Sequence, residues 1–166
     1  SVVSASAGSG KTTLIPLACA DLIASGERVI VCSPRRMSAR SCARRLASLL
    51  NDCLGNLVGF SVRGQSQRSR ETRIEFVTPG VLARMIHSDP GLDGIGCVIL
   101  DEFHERAVDS DLSLAFLIDI RSLLREDLRL VVMSATIDDV ALGQILVDLP
   151  SRFFELTREF LPVSVL

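Results

Sequence analysis

Short runs that are apolar on both faces alternate along this chain with longer stretches of helical period. At 97–100 the run Cys-Val-Ile-Leu passes without a polar break into Asp101-Glu102. A strand with one wet face shows period two, whereas a strand with no polar face must be covered on both sides. Helices that alternate with such strands supply the cover. The expected fold is therefore α/β, a central, mainly parallel sheet with helices on both faces. Strands are expected at Val2–Ala5, Arg28–Cys32, Val58–Val62, Ile74–Val77, Cys97–Leu100, Leu128–Met133 and Arg152–Leu156. Helices are expected at Thr12–Ala24, Met37–Leu50, Leu112–Leu124, Asp138–Leu146, and from Pro79 to about His87, proline suiting a first helical turn. Gln65–Arg73, the most polar stretch, reads as an exposed loop.

The sole lysine, Lys11, falls between the first strand and the first helix, in Gly8-Ser9-Gly10-Lys11-Thr12; the other seventeen basic residues are arginine. A chain that uses arginine everywhere else has kept the compact ammonium where a planar fork would be too bulky. Gly8 and Gly10 permit the backbone to turn its N–H groups onto one anion, and the positive end of the following helix points at the same place. Lys11 would reach the outer phosphates of a nucleoside triphosphate, and the Thr12 hydroxyl would ligate Mg²⁺. The pattern G-x-x-x-x-G-K-[ST] is missed only at its first position, Ala5. A chance glycine turn is the bland alternative, and the strand before and helix after it argue against that.

Asp101 and Glu102 close an apolar strand. An acid at the carboxyl end of a buried strand can hold Mg²⁺ through water, and its neighbour can polarise an attacking water. Alone, such a pair is as often a structural loop; beside the phosphate loop it reads as a hydrolase pair.

At 166 residues the chain suits one well-cored domain. Its five cysteines have no C-x-x-C spacing and are expected to be reduced core thiols of a cytoplasmic protein. No apolar run reaches membrane-spanning length. The net charge of −2 conceals a division: residues 1–86 carry 12 basic and 5 acidic groups (+7), residues 87–166 carry 6 and 15 (−9). Arg35, Arg36, Arg40, Arg44 and Arg45 crowd into eleven residues, a local basic field that suits a polyanion or merely a solvated helix face. With neither Trp nor Tyr present, base stacking can come only from seven Phe and should be minor. A GTPase would need a second lysine for its guanine motif, and nothing outside Gln65–Arg73 suits the lid of a small-molecule kinase.

Asp101-Glu102-Phe103-His104-Glu105-Arg106 resembles motif II of the DEAH-type superfamily 2 helicases. Ala5-x-x-Gly8-x-Gly10-Lys11-Thr12 is similar to that superfamily's phosphate loop and accounts for Ala5. Ser33-Pro34-Arg35-Arg36 resembles motif Ia. Gly59-Phe60-Ser61-Val62-Arg63 resembles the Gly-Tyr-x-x-Arg strand, with Phe for Tyr. Thr78-Pro79-Gly80 resembles motif Ib, and Ser134-Ala135-Thr136 motif III. All occur in the family's order over nearly the whole chain, and Phe103 resembles the bacterial HrpB-type branch.

The resemblance implies a RecA-like P-loop NTPase domain at 1–157, with 158–166 opening a linker to a second RecA-like domain in cis. It implies ATP and Mg²⁺ as ligands, held by Ala5, Gly8, Ser9, Gly10, Lys11 and Thr12, with Thr13 following. Arg45, or Arg44 beside it, would stack on the base. Thr12, Asp101 and Glu102 would hold the metal, partly through water, and Lys11, Asp101, Glu102 and His104 would carry the chemistry. Single-stranded RNA is the implied partner and DNA a possible one, gripped through its backbone by Arg35, Arg36, Arg63, Thr78 and Gly80. Ser134 and Thr136 would relay nucleotide state. A double-stranded DNA translocase, or a nucleotide-gated remodelling switch without unwinding, remain open alternatives.

Overall fold

In β2 (Arg28–Cys32) the residues from Val29 to Cys32 are all buried, and alternate ones serve opposite cores. Val29 and Val31 join Ala39, Ala43 and Leu46 of α2 (Arg36–Leu49) on one face of the sheet. Ile30 and Cys32 join Leu82 and Ile86 of α3 (Pro79–Ser88) and Leu114 and Leu117 of α4 (Val108–Leu123) on the other. The period of two and the lack of a polar face thus have one cause: β2 lies mid-sheet between two helical layers. Cys19, on α1 (Lys11–Leu22), places that helix on the α2 face.

The computed structural model describes residues 2–5, 11–105, 108–134 and 153–156. The remaining strands are β1 (Val2–Ala5), β3 (Val58–Val62), β4 (Gln65–Gln67), β5 (Ile74–Val77), β6 (Ile95–Leu100), β7 (Arg129–Ser134) and β8 (Phe153–Leu156). They form one sheet in the order β4-β3-β5-β2-β6-β7-β1-β8, parallel except for the β3–β4 pair. The α/β expectation holds: this is the sheet of a RecA-like P-loop NTPase domain. The register aligns Val77, Cys32, Leu100 and Val132 across neighbouring strands, so the loops after β5, β2, β6 and β7 open on one carboxyl edge. Ligands of open parallel sheets bind along that edge.

The expected loop over Gln65–Arg73 is corrected in its first residues. Gly64, at φ +80°, turns the chain so that β4 pairs antiparallel with β3. Its residues are polar because all three are exposed at the sheet edge, not because they lack a ladder. Helix α4 begins a turn earlier than its apolar period indicated; Asp109 and Asp111 occupy the first turn, where acids favour the positive helix end. Of the cysteines, Cys19, Cys32 and Cys97 are buried, Cys42 is half-buried and Cys53 is exposed; all are free. The expected helix at 138–146, Thr136, the phosphate-loop residues Gly8, Ser9 and Gly10, and the boundary after 157 lie outside the described residues.

Gly59 is fixed by the backbone that crosses it. A Cβ there would stand 2.7 Å from the Gln67 carbonyl oxygen and 2.9 Å from the Arg68 Cβ. Gly59→Ala should therefore cost about 1–3 kcal/mol through forced displacement of the β4 return, read as a lower denaturation midpoint with an unchanged slope.

Candidate nucleotide and nucleic-acid site

The carboxyl edge divides where β2 meets β6. On one side, β1 and β6 flank β7, with Ser4 opposite Ser134 and Leu100 opposite Val132. Two strand spacings, about 10 Å, therefore separate the chain leaving β1 for the glycine segment from the acids leaving β6. Ser134, buried at the end of β7, stands between them. Lys11 opens α1, and Thr12 and Thr13 are half-buried on its first turn. The strand-to-helix setting that the phosphate loop requires is present, and Ala5 ends its strand.

Asp101 is 6% exposed, and its N–H donates to the Cys32 carbonyl at 2.9 Å, which pins it between β6 and β2. Burial, together with the Asp101 charge, pushes the Cys32 thiol up to about 12. Cys42 is also raised, by burial first and then by Asp101 and Glu102, which brings α2 into the field of the acidic pair. Glu102 adopts φ +52°, in the left-handed region that a non-glycine residue enters at a cost. Its N–H is held by Asp101 Oδ1 at 3.0 Å, and its carbonyl accepts the Glu105 N–H at 3.0 Å. The chain thus reverses into a short 3₁₀ turn, Phe103–Glu105, anchored by the buried Phe103 ring. The reversal sends the Asp101 side chain inward and leaves Glu102 more exposed. His104 Nδ1 lies 3.4 Å from Glu102 Oε2. One buried acid beside one accessible acid fits an ion that keeps most of its waters and takes its remaining ligands from phosphate, as Mg²⁺ does. A dedicated cage of three or more ligating side chains is absent among the described residues.

On the other side of the edge, β2, β5 and β3 present the basic residues. Arg35 caps α2, and Arg36 opens it. Arg36 Nη2 donates to the Arg63 carbonyl at 3.0 Å, joining the loops after β2 and β3. Thr78 caps α3, its carbonyl taking the N–H groups of Val81 and Leu82 at 2.9 and 3.0 Å. Gly80 is exposed on that first turn, and a Cβ there would meet nothing within 4 Å. Arg35, Arg36, Arg63 and Gly80 are therefore exposed along one stretch of edge, with the Thr78 side chain mostly buried behind it. Phe60 belongs to the core under α2, with the Arg40 guanidinium 5.9 Å from its ring centroid. Arg44 and Arg45 are exposed on α2.

Two residues of this edge fall inside the motifs above but have no role assigned to them there. The Ser33 hydroxyl is buried and has no partner among the described residues. Glu105 reaches across to Arg35, a contact that depends on β2 and β6 being neighbours, which no local pattern states.

The model of the DEAD/DEAH box helicase family matches residues 1–143. The chain belongs to that family. This helicase domain is 46% identical over 167 residues to the ATP-dependent RNA helicase HrpB of Escherichia coli K12, covering 98% of the chain and 21% of that protein. It is 42% identical over 138 residues to the HrpA homolog of Haemophilus influenzae, covering 82% of the chain and 11% of the relative. The crystal structure of the E. coli DExH-box NTPase HrpB superimposes with a TM-score of 0.84 at 45% identity, over 95% of this chain and 19% of that one. The helicase domain thus spans about a fifth or less of the length of these relatives. The DEAH, HrpB-type resemblance drawn from the motifs holds. Among the described residues of the domain no helix is long and apolar enough to cross a membrane.

Proposed function

We propose that this domain is the nucleotide-binding half of an ATP-dependent RNA helicase. It binds ATP with Mg²⁺ and single-stranded RNA, and hydrolyses ATP together with a second RecA-like domain in cis. The observation that carries the reading is the division of one carboxyl edge into an acidic half beside the start of α1 and an arginine half on β2, β3 and β5. Mg²⁺, when bound, supplies charge neutralisation at the outer phosphates. Thr12 and Asp101, with Glu102 through water, would hold it, and Lys11 would reach the same phosphates from the start of α1. Glu102 orients the attacking water and takes its proton, with His104 beside it. Arg35, Arg36, Arg63, Thr78 and Gly80 grip the RNA backbone through contacts that fix position without reading sequence. A motor that moves along any strand needs contacts of that kind. Ser134 and Thr136 relay the state of the nucleotide to the strand.

The test is ATP hydrolysis by the full-length protein with and without single-stranded RNA or DNA, alongside Lys11→Ala. Turnover should rise with RNA and be abolished in the variant. Stimulation by DNA alone would move the protein to the translocase class. Nucleotide binding without stimulation by either would make it a switch that answers to another partner.

A further inference from the structure

Glu105 has no role in the chemistry described above, yet it makes a side-chain ion pair that joins the two halves of the edge. Arg35 Nη2 lies 3.2 Å from Glu105 Oε1, and Arg35 Nε lies 3.3 Å from Oε2. The guanidinium edge thus faces both carboxylate oxygens, with Nε donating a hydrogen bond to Oε2, the side-on approach by which arginine also grips a phosphate. One guanidinium edge cannot present the same two N–H groups to both anions. Arg36 differs, because the hydrogen-bond partner of its guanidinium is the neutral Arg63 carbonyl. Arg35 is 71% exposed and Glu105 32%, so a phosphate can approach from solvent without dismantling the core. At the other end, the Glu105 N–H is bonded to the Glu102 carbonyl, and His104 lies between them in the same turn. Whatever moves Glu105 therefore pulls on the turn that aims Glu102.

We propose that Glu105 is an RNA-responsive gate: it occupies the Arg35 fork when no strand is bound, and an RNA phosphate displaces it and releases the turn carrying Glu102 and His104. The proposal rests on reading this edge as an ATP site beside an RNA track. Glu105 acts through its neighbours and is a positioning residue. A contact can bias an equilibrium only by its own strength. For an exposed pair that strength corresponds to about a two- to fivefold effect.

The experiment measures RNA affinity without nucleotide, and ATP turnover without RNA, for the full-length protein, Glu105→Gln, Arg35→Gln and the double variant. Glu105→Gln should bind RNA about two- to fivefold more tightly, and Arg35→Gln more weakly, since only the first leaves a free fork. Both should raise RNA-free turnover by a similar factor, with no further rise in the double variant, because each breaks the same contact. A merely structural ion pair would not move RNA affinity in opposite directions. Unchanged or weaker RNA binding by Glu105→Gln, or additive turnover effects, overturns the gate while RNA stimulation of the unmodified protein keeps the helicase reading. An unmodified protein that neither binds RNA nor responds to it overturns the helicase reading and the gate with it.

Discussion

Replacing Glu102 by Gln in the full-length protein should lower RNA-stimulated ATP turnover by about two to four orders of magnitude and leave ATP bound. The substitution keeps nearly every contact that shapes the site. The Asp101 side chain holds a backbone N–H of residue 102, and the Glu105 N–H bonds its backbone carbonyl, so neither depends on the carboxylate. Glutamine tolerates φ +52° no worse than glutamate does. Asp101 remains buried with its N–H on the Cys32 carbonyl, and on the proposed reading stays available to Mg²⁺. What is lost, on the proposed reading, is one accessible base beside the nucleotide. Steady-state turnover and equilibrium binding of a fluorescent ATP analogue separate the two effects. A loss of less than about fivefold, below the usual range for a general base, would leave Glu102 only its contact with His104 at 3.4 Å.

How far that site could be read from the residues alone depended on whether each signal was local. The loop around Lys11 and the Asp-Glu end of β6 are contiguous, and their chemistry follows from residue type and position on a strand or helix. The parallel sheet followed from runs such as Val29–Cys32, where the absence of a polar face announces cover on both sides. Strand order was a different matter. That β6 inserts beside β2, and β7 between β6 and β1, is set by which faces pack, and apolar runs of similar composition do not distinguish it. The Arg35–Glu105 contact, seventy residues apart in sequence, is a consequence of that order and was invisible for the same reason. The β4 strand was missed because Gln-Ser-Gln has no hydrophobic period; an edge strand needs only a neighbour with free backbone groups. Phe60 illustrates a third case, in which the resemblance named a motif strand but the ring lies in the core under α2.

Glu75→Ala should destabilise the protein by about 3 kcal/mol, near the lower end of what breaking a buried ion pair costs. Its sequence context, Ile74-Glu75-Phe76-Val77, looks like an ordinary strand with one wet position, but the side chain is only 2% exposed. Two cations and a hydroxyl satisfy it. Arg28 Nη1 approaches Oε2 at 3.0 Å and Arg68 Nε approaches Oε1 at 3.4 Å, while the Ser61 hydroxyl donates to Oε1 at 2.6 Å. These partners come from β2, the segment after β4 and β3, so the carboxylate ties to β5 the same strands that carry the arginine half of the edge. Removing it takes from Arg28, a quarter of whose side chain is exposed, its ion-pair partner at 3.0 Å, which is where most of the penalty arises. A cavity of about 240 Å³, whose lining includes Arg28, Arg68, Glu75, Asp89 and Asp93, admits water to the guanidinium and keeps the loss from the upper end of the range. Arg68→Ala, whose side chain is 48% exposed, should cost less than about 1 kcal/mol, because it leaves Glu75 its shorter bonds. Chemical denaturation of the two variants decides the matter, and in a domain of this size the larger loss corresponds to a fall in Tm of about 6–12 °C. Equal, small effects would mean that water already solvates Glu75 through the cavity and that the arginine half of the edge is held by backbone pairing alone.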